Sequence, residues 1–467
     1  MPTLAPLFAG LFALAIYLVT LAPDLTWAHQ GTDGGELITA AVTLGVPHPP
    51  GYPTYVLLGK VISLIPLGKV AFRFNLLSAL CIAAAAALVT AISYRRLTMR
   101  HTGTEIPDQG TAGRAALATG LTFAFMPLVW SQALIAEVYG LNLLLIAAFL
   151  WALLRKRPGW SAGLLLGLSV TAHLTSLLLL PLALYLTPWR RWLRLGAGMT
   201  LGLTPFLLLP LLGRGESPVV WGRPGTFRGW WWLVSGQLYR PNLFALPREQ
   251  WLPRFLTWSR LFFAQFAWVG LALLPAALPS QRTSPKETTP LPLLATAGGY
   301  ALYAFAYNTA DAFVFFLPAL LLLSILLAPA LRRLNWLALL LPLALLMLNF
   351  SQVSLRRQQT VRALAEPALQ RAPPQAILLT TGDQTTFTFW YLHHVEGQRP
   401  DLILVDSNLF AFDWYRQRLM HHHPALRRLA RDDLASFRSA NRGQRPVCSV
   451  ALPLQANTLP SYNCHED

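Results

Sequence analysis

Residues 31–54 read GTDGGELITAAVTLGVPHPPGYPT and follow directly on an apolar run, residues 4–21. In water this stretch would be a polar turn and a short helix. Beside a bilayer, two carboxylates three residues apart and a proline-stiffened return need a reason, because ionisable groups near membrane depth are costly and usually face a cavity or a partner. The fold therefore turns on whether the preceding run enters a membrane.

The composition says that it does. Hydrophobic residues make up 54% of the 467 and charged residues 12%, against about 25% charged in an ordinary soluble domain. The apolar residues come in blocks (117–129, 141–154, 164–186, 334–348) of the kind that build transmembrane helices. No small-residue cleavage site follows the first run, so it reads as a retained anchor. The net charge of +17 does not form a basic face for nucleic acid. It sits in clusters between apolar blocks: Arg95, Arg96 and Arg100; Arg155, Lys156 and Arg157; Arg190, Arg191 and Arg194; Arg282 and Lys286; Arg332 and Arg333. Such clusters mark cytoplasmic loops.

With those clusters inside, about eleven spans are expected: 4–22, 72–94, 115–131, 138–154, 160–173, 175–189, 194–213, 257–278, 291–308, 312–330 and 335–350. The N-terminus is then cytoplasmic in a multi-pass inner (cell) membrane protein, and residues 23–71, 214–256 and everything after 350 face outside. The chain divides into a mainly α transmembrane domain, 1–350, and a C-terminal extracytoplasmic α/β domain, 351–467. In the latter a helical pattern (355–369) alternates with strand-like runs (376–379, 402–405), with about 115 residues to form a core of its own. Cys448 and Cys464 fall there and could pair in an oxidising compartment, whereas Cys81 lies within a span.

On the outer face, residues 37–44 suit a short helix lying along the interface and starting near Gly34 or Gly35, with Asp33 at its N-terminus and Glu36 one turn on. Pro47, Pro49, Pro50 and Pro53 hold His48 and Tyr52 in fixed directions. A capping Asp and a stiffened loop are the plain alternative. Three further polar sites fall at the external ends of spans: Glu137 and Tyr139 in AEVYGLN, His173 in TAHLTS, and Asp311 in YNTADAFVFF. Together they suggest one external cavity. External Arg73, Arg214, Arg223, Arg228 and Arg240 could meet a phosphate, and the loop 214–256 adds Trp221, Trp230, Trp231, Trp232 and Trp251 at the interface. Asp383 falls at the C-terminal end of a strand-like run, where α/β domains place ligands, though a Gly-Asp turn explains it equally. His393, His394 and His421–423 do not have the spacing of a metal site, and no P-loop, GxSxG or GxGxxG with an acidic partner is present.

The motifs TDGGELITAAVTLGVPHPPGYPTYVLLGK, RFNLLSAL, AEVYGLN, YNTADAFVFFLP and GDQTTFTFWYLHHVEGQRPDLILVD resemble bacterial multispanning proteins of unassigned function related to an animal protein O-mannosyltransferase, within the GT-C class of lipid-linked-sugar glycosyltransferases. That resemblance implies transfer of a sugar from a polyprenyl-phosphate donor to a protein or glycan acceptor outside the cytoplasm, with no nucleic-acid partner. In that class the first-loop acidic residue is a catalytic base or a metal ligand, and Asp33 matches it. Glu36 matches the acidic partner of a DxGE pattern. His48, Arg73, Glu137 and His173 carry over as cavity residues. No cofactor or metal site follows from the residues; a divalent cation is the one cofactor the class leaves open. A transporter or flippase for lipid-linked glycans, or a non-catalytic assembly protein, is the alternative, but no internal repeat supports a transporter.

Overall fold

The computed structural model describes residues 4–99, 108–154, 159–268, 270–273, 290–453 and 460–465. Arg100, Arg155, Lys156, Arg157, Arg282 and Lys286, and part of the expected span 257–278, lie outside them.

Helix α1 (Ala5–Thr20) leads through a 3-10 turn (Ala28–Asp33) into α2 (Gly34–Thr43), α3 (Pro53–Ser63) and α4 (Val70–Thr98). Pro53 opens α3, where a missing N–H costs nothing and the fixed φ suits the helix. The alanine-rich middle of α4 makes it the hub against which α1, α5 (Gln109–Phe125) and α7 (Tyr139–Leu153) pack closely. Between α5 and α7, α6 (Pro127–Ala133) departs from α5 by 67° because Pro127 cannot continue the hydrogen-bond ladder. Next come α8 (Trp160–Ala172), α9 (Leu180–Leu186), α10 (Trp192–Gly202) and α11 (Leu209–Leu212). Gly163 and Gly167 of α8 meet Gly198 and Gly202 of α10 backbone to backbone: a Cβ on Gly163 would stand 2.0 Å from the Leu195 carbonyl oxygen. Small residues at i and i+4 on both partners are a packing device of membrane helices.

The loop 214–256 carries α12 (Phe227–Val234), and α13 (Trp251–Ala264) begins at its end. The remaining apolar helices are α14 (Pro290–Ala306), α15 (Leu317–Leu334) and α16 (Leu340–Val353). Asn335, at φ +53°, turns the chain between α15 and α16.

Among the described residues, the stretches long and apolar enough to cross a bilayer number three (Val70–Thr98, Trp189–Leu212 and Ala312–Val353), or four with the bent α5–α6 pair. The expected eleven spans are not established. The others are short, such as the 16 residues of α1 and the 13 of α8, or broken by a proline into 3-10 and α pieces, as at Pro181. The chain reads as an integral membrane protein.

The C-terminal part contains α17 (Thr360–Gln370), β1 (Ile377–Thr380), α18 (Asp383–Trp390), β2 (Ile403–Asp406), α19 (Asp413–His422), α20 (Leu434–Arg442), β3 (Val447–Ala451) and β4 (Ser461–His465). The sheet order is β2-β1-β3-β4, with β1 parallel to both neighbours and β4 antiparallel to β3. Cys448 and Cys464 face each other across β3 and β4 and are disulfide-bonded. The core of this part is not its own. Leu378, Phe389 and Val405 belong to one apolar cluster with Leu37, Ile38, Tyr55 and Val220 of segments 23–71 and 214–256.

Polar contacts fix that union. Asp24, nearly buried, pairs with Lys69 at 2.6 Å and with Arg362 at 2.5 Å, and Arg362 reaches on to Glu396. Trp27 Nε1 donates to Thr388 Oγ1 at 3.0 Å, and the Ala71 N–H to the Tyr391 hydroxyl at 3.3 Å. The C-terminal part thus sits on the N-terminal end of α4. The other end of α4, about 42 Å away for 29 residues, holds Arg95, which donates to the Leu154 carbonyl at 2.7 Å. Arg332 donates to the Leu97 carbonyl there, and Arg114 to Asn335.

Candidate active site

Asp33 precedes α2 with φ −75° and ψ −11°, and its carboxylate makes no cap hydrogen bond. A capping residue is extended and accepts from the first turn. The plain capping account therefore fails. The turn before it is held in the left-handed region at His29 and Gln30, φ +58° and +67°. There the His29 imidazole meets the Val353 carbonyl at 2.9 Å, and Gln132 donates to the His29 carbonyl at 2.9 Å.

Helix α2 does not lie along a lipid surface: it is buried from Gly34 to Ala41 beneath α18. Gly35 permits this, since a Cβ there would stand 2.2 Å from the Phe387 carbonyl oxygen. Glu36, fully buried, points toward the proline-rich return. One of its oxygens accepts from the His48 backbone N–H at 3.0 Å and the other contacts His48 Nδ1. The far nitrogen of His48 lies 3.1 Å from the Tyr52 hydroxyl and 3.8 Å from the Asp33 carboxylate. Glu36 thus acts on Asp33 through His48 and does not itself line the cavity.

That cavity, of about 630 Å³, is lined by Asp33, His48, Tyr52, Tyr139, His173, Arg240 and Asp311, and also by Asp383, Trp221, Tyr239, Tyr307 and Phe315. Its walls are largely aromatic. His173, held by Thr175 at 2.7 Å, has Tyr139 and Phe315 at ring separations of 5.4 and 5.6 Å. Asp311 starts a 3-10 turn on a loop that Arg254 fixes by donating to the Tyr307 carbonyl at 2.6 Å.

The electrostatics follow from enclosure. Asp33 is 39% accessible and lines the cavity, and the surrounding protein pushes its carboxyl up. His48 opposes the shift, Glu36 and Asp311 add to it, and the result is about 6. Burial disfavours a cationic His48, but Glu36 and Asp33 outweigh it and push the imidazole up to about 10. Asp383 is pushed up to about 6 by its enclosure and by Asp33 and Asp406. Glu137, buried in the segment before α7, is raised by burial and then by Asp33; it stands behind the wall and is not part of the lining.

Three expected contacts are elsewhere. Arg73 donates to the carbonyls of Ser63, Leu67 and Gly68 and closes the turn before α4. Arg223 pairs with Asp413 at 2.5 Å, tying loop 214–256 to α19. Arg228 is exposed on α12 and outside the cavity. Tyr239, Tyr307 and Phe315 are site aromatics that the sequence did not single out; their one signal is position, within a few residues of Arg240 and Asp311. Among the described residues, no three His, Cys, Asp or Glu side chains group so as to hold a metal ion.

Residues 33–195 match the model of the Protein O-mannosyl-transferase TMEM260 N-terminal domain, and residues 361–425 that of TMEM260-associated domain 2. The mouse Protein O-mannosyl-transferase TMEM260 is 27% identical over 88% of this chain and 64% of its own length. The Dictyostelium discoideum Protein O-mannosyl-transferase tmem260 is 29% identical over 29% of this chain and 15% of its own. The chain therefore spans less than two thirds of these relatives. Among solved structures, ArnT from Cupriavidus metallidurans bound to undecaprenyl phosphate superposes with a TM-score of 0.59 at 14% identity, covering 96% of this chain and 93% of that one. Its apo state gives 0.51. The fold is that of ArnT, a GT-C fold.

Proposed function

We propose that this protein is a membrane glycosyltransferase that moves a sugar from a polyprenyl-phosphate donor to a hydroxyl group of an acceptor outside the cytoplasm, with Asp33 as general base. One observation carries the reading: a carboxylate that caps nothing opens onto an aromatic-walled cavity beside a buried histidine that a second, fully buried carboxylate holds. The relatives named as O-mannosyltransferases and the ArnT-like fold support the class of reaction, and protein O-mannosylation is the form they favour.

In the proposed step Asp33 takes the proton of the acceptor hydroxyl as its oxygen bonds to the anomeric carbon. The bond from that carbon to the phosphate oxygen breaks, the electron pair leaves with the lipid phosphate, and the configuration inverts. His48, held cationic by Glu36, keeps Asp33 ionised and oriented; Glu36 is a positioning residue. Arg240, the one Arg or Lys of the described lining, meets the departing phosphate. Tyr139, His173 and the neighbouring aromatics offer faces for a sugar ring.

Basic residues at one end of α4 and the cavity at the other support an external position for the cavity, by the bias of Lys and Arg toward cytoplasmic loops. The Cys448–Cys464 disulfide suits an oxidising compartment. The C-terminal residues 351–467 are then an extracytoplasmic domain closing the site. The test is transfer of label from a polyprenyl-phosphate sugar by purified wild type and Asp33→Asn. Undiminished transfer by the variant would remove Asp33 from the chemistry.

A further inference from the structure

Two residues of the cavity wall come from the C-terminal domain. Asp383 and Phe387 stand four apart on α18, so they share one face of that helix. Their placement is fixed by backbone packing, because α18 rests directly on Gly35, two residues from Asp33. The Asp383 side chain serves no evident structural purpose. Among the described residues its carboxylate has no hydrogen-bond or ion-pair partner. It is exposed, and the space it faces is the cavity.

The rest of the wall offers a different ligand chemistry. Leu174, Leu177, Leu178 and Leu243 form an apolar stretch, with Leu177 and Leu243 45% and 39% exposed; together with Arg240 it suits a prenyl chain ending in a phosphate. A free carboxylate repels that phosphate and attracts N–H and O–H donors. The C-terminal domain, lying over the membrane part, is also the side from which a water-soluble chain arrives.

We propose that Asp383 is a binding residue for the acceptor, an extended polypeptide whose N–H or hydroxyl donors it receives, so that the C-terminal domain supplies the acceptor half of the site. This rests on the glycosyltransferase reading above. It goes further by dividing the two substrates between the two parts of the chain.

The experiment uses the full-length protein in detergent or nanodiscs, with a polyprenyl-phosphate mannose as donor and a pool of Ser- and Thr-containing peptides as acceptor. Asp383→Asn is expected to raise the acceptor KM about tenfold or more, the loss of a charge-assisted hydrogen bond. The donor KM and the thermal midpoint should stay within about twofold and about a degree of wild type, and Asp383→Glu should recover part of the acceptor affinity. An unchanged acceptor KM would overturn the proposal and leave Asp383 a charge at a helix N-terminus. A raised donor KM would overturn it by placing Asp383 on the donor side. Absence of any transfer by wild type would instead overturn the parent reading, and is distinguished because it appears before any Asp383 variant is compared.

Discussion

Gly35→Ala probes the union on which the site depends. The added Cβ would stand 2.2 Å from the Phe387 carbonyl oxygen, 2.6 Å from its carbon and 3.1 Å from the Thr388 nitrogen. All three atoms are backbone, so no rotamer change relieves the clash. To reach ordinary contact, α18 must retreat from α2 by more than about 1 Å, and the layer between them is close-packed. Overpacking of this kind costs about 1–3 kcal/mol. The retreat also carries Asp383 and Phe387 away from Asp33, and a displacement of about 1 Å can cost on the order of 10²-fold in rate. Gly35→Ala should therefore lower the thermal midpoint in detergent and reduce transfer more than the stability loss alone accounts for. Gly196→Ala is the control: nothing stands within 4 Å of its Cβ position on α10. Wild-type stability and transfer in Gly35→Ala would refute the docking of α18 on α2 described above.

The transfer rate should fall as pH drops through about 6, because Asp33 must be ionised to act as base and its carboxyl is pushed up to that value. His48, pushed up to about 10, stays cationic across the range; a kcat limb near pH 4 would contradict the enclosed environment of Asp33. Arg240→Gln should weaken binding of undecaprenyl phosphate, followed by the fluorescence of the cavity's Trp221, by roughly tenfold or more. Arg223→Gln, which loses an exposed ion pair to Asp413, should leave donor binding unchanged and cost about 1 kcal/mol or less.

The first loop was legible because its local chemistry is unusual. Asp33, His48 and Tyr52 lie within 20 residues of one another in a proline-braced segment, and expensive polar residues at span ends pointed to Tyr139, His173 and Asp311. The strand-like runs of the tail became β1 and β2 within a residue or two. What failed depended on tertiary choices. Arg73 and Arg223 were charges available for a phosphate, but a guanidinium also satisfies carbonyls or a neighbouring carboxylate, as both do here. The burial of α2 and the merging of the tail's core with segments 23–71 and 214–256 needed the docking of α18, which no periodicity encodes. Composition alone does not fix the number of spans, because a proline inside an apolar block leaves composition unchanged while breaking the helix.

The central claim, that Asp33 is the general base of a lipid-linked sugar transfer, is tested most directly by turnover of purified wild type and Asp33→Asn with a polyprenyl-phosphate mannose and a peptide acceptor, with and without a chelator. Asparagine keeps the shape and removes the proton acceptor. The account predicts a fall in kcat of roughly 10² to 10⁴, donor binding unchanged, and a wild-type rate indifferent to the chelator. Full turnover by Asp33→Asn, or a wild-type rate abolished by the chelator and restored by a divalent cation, would contradict it.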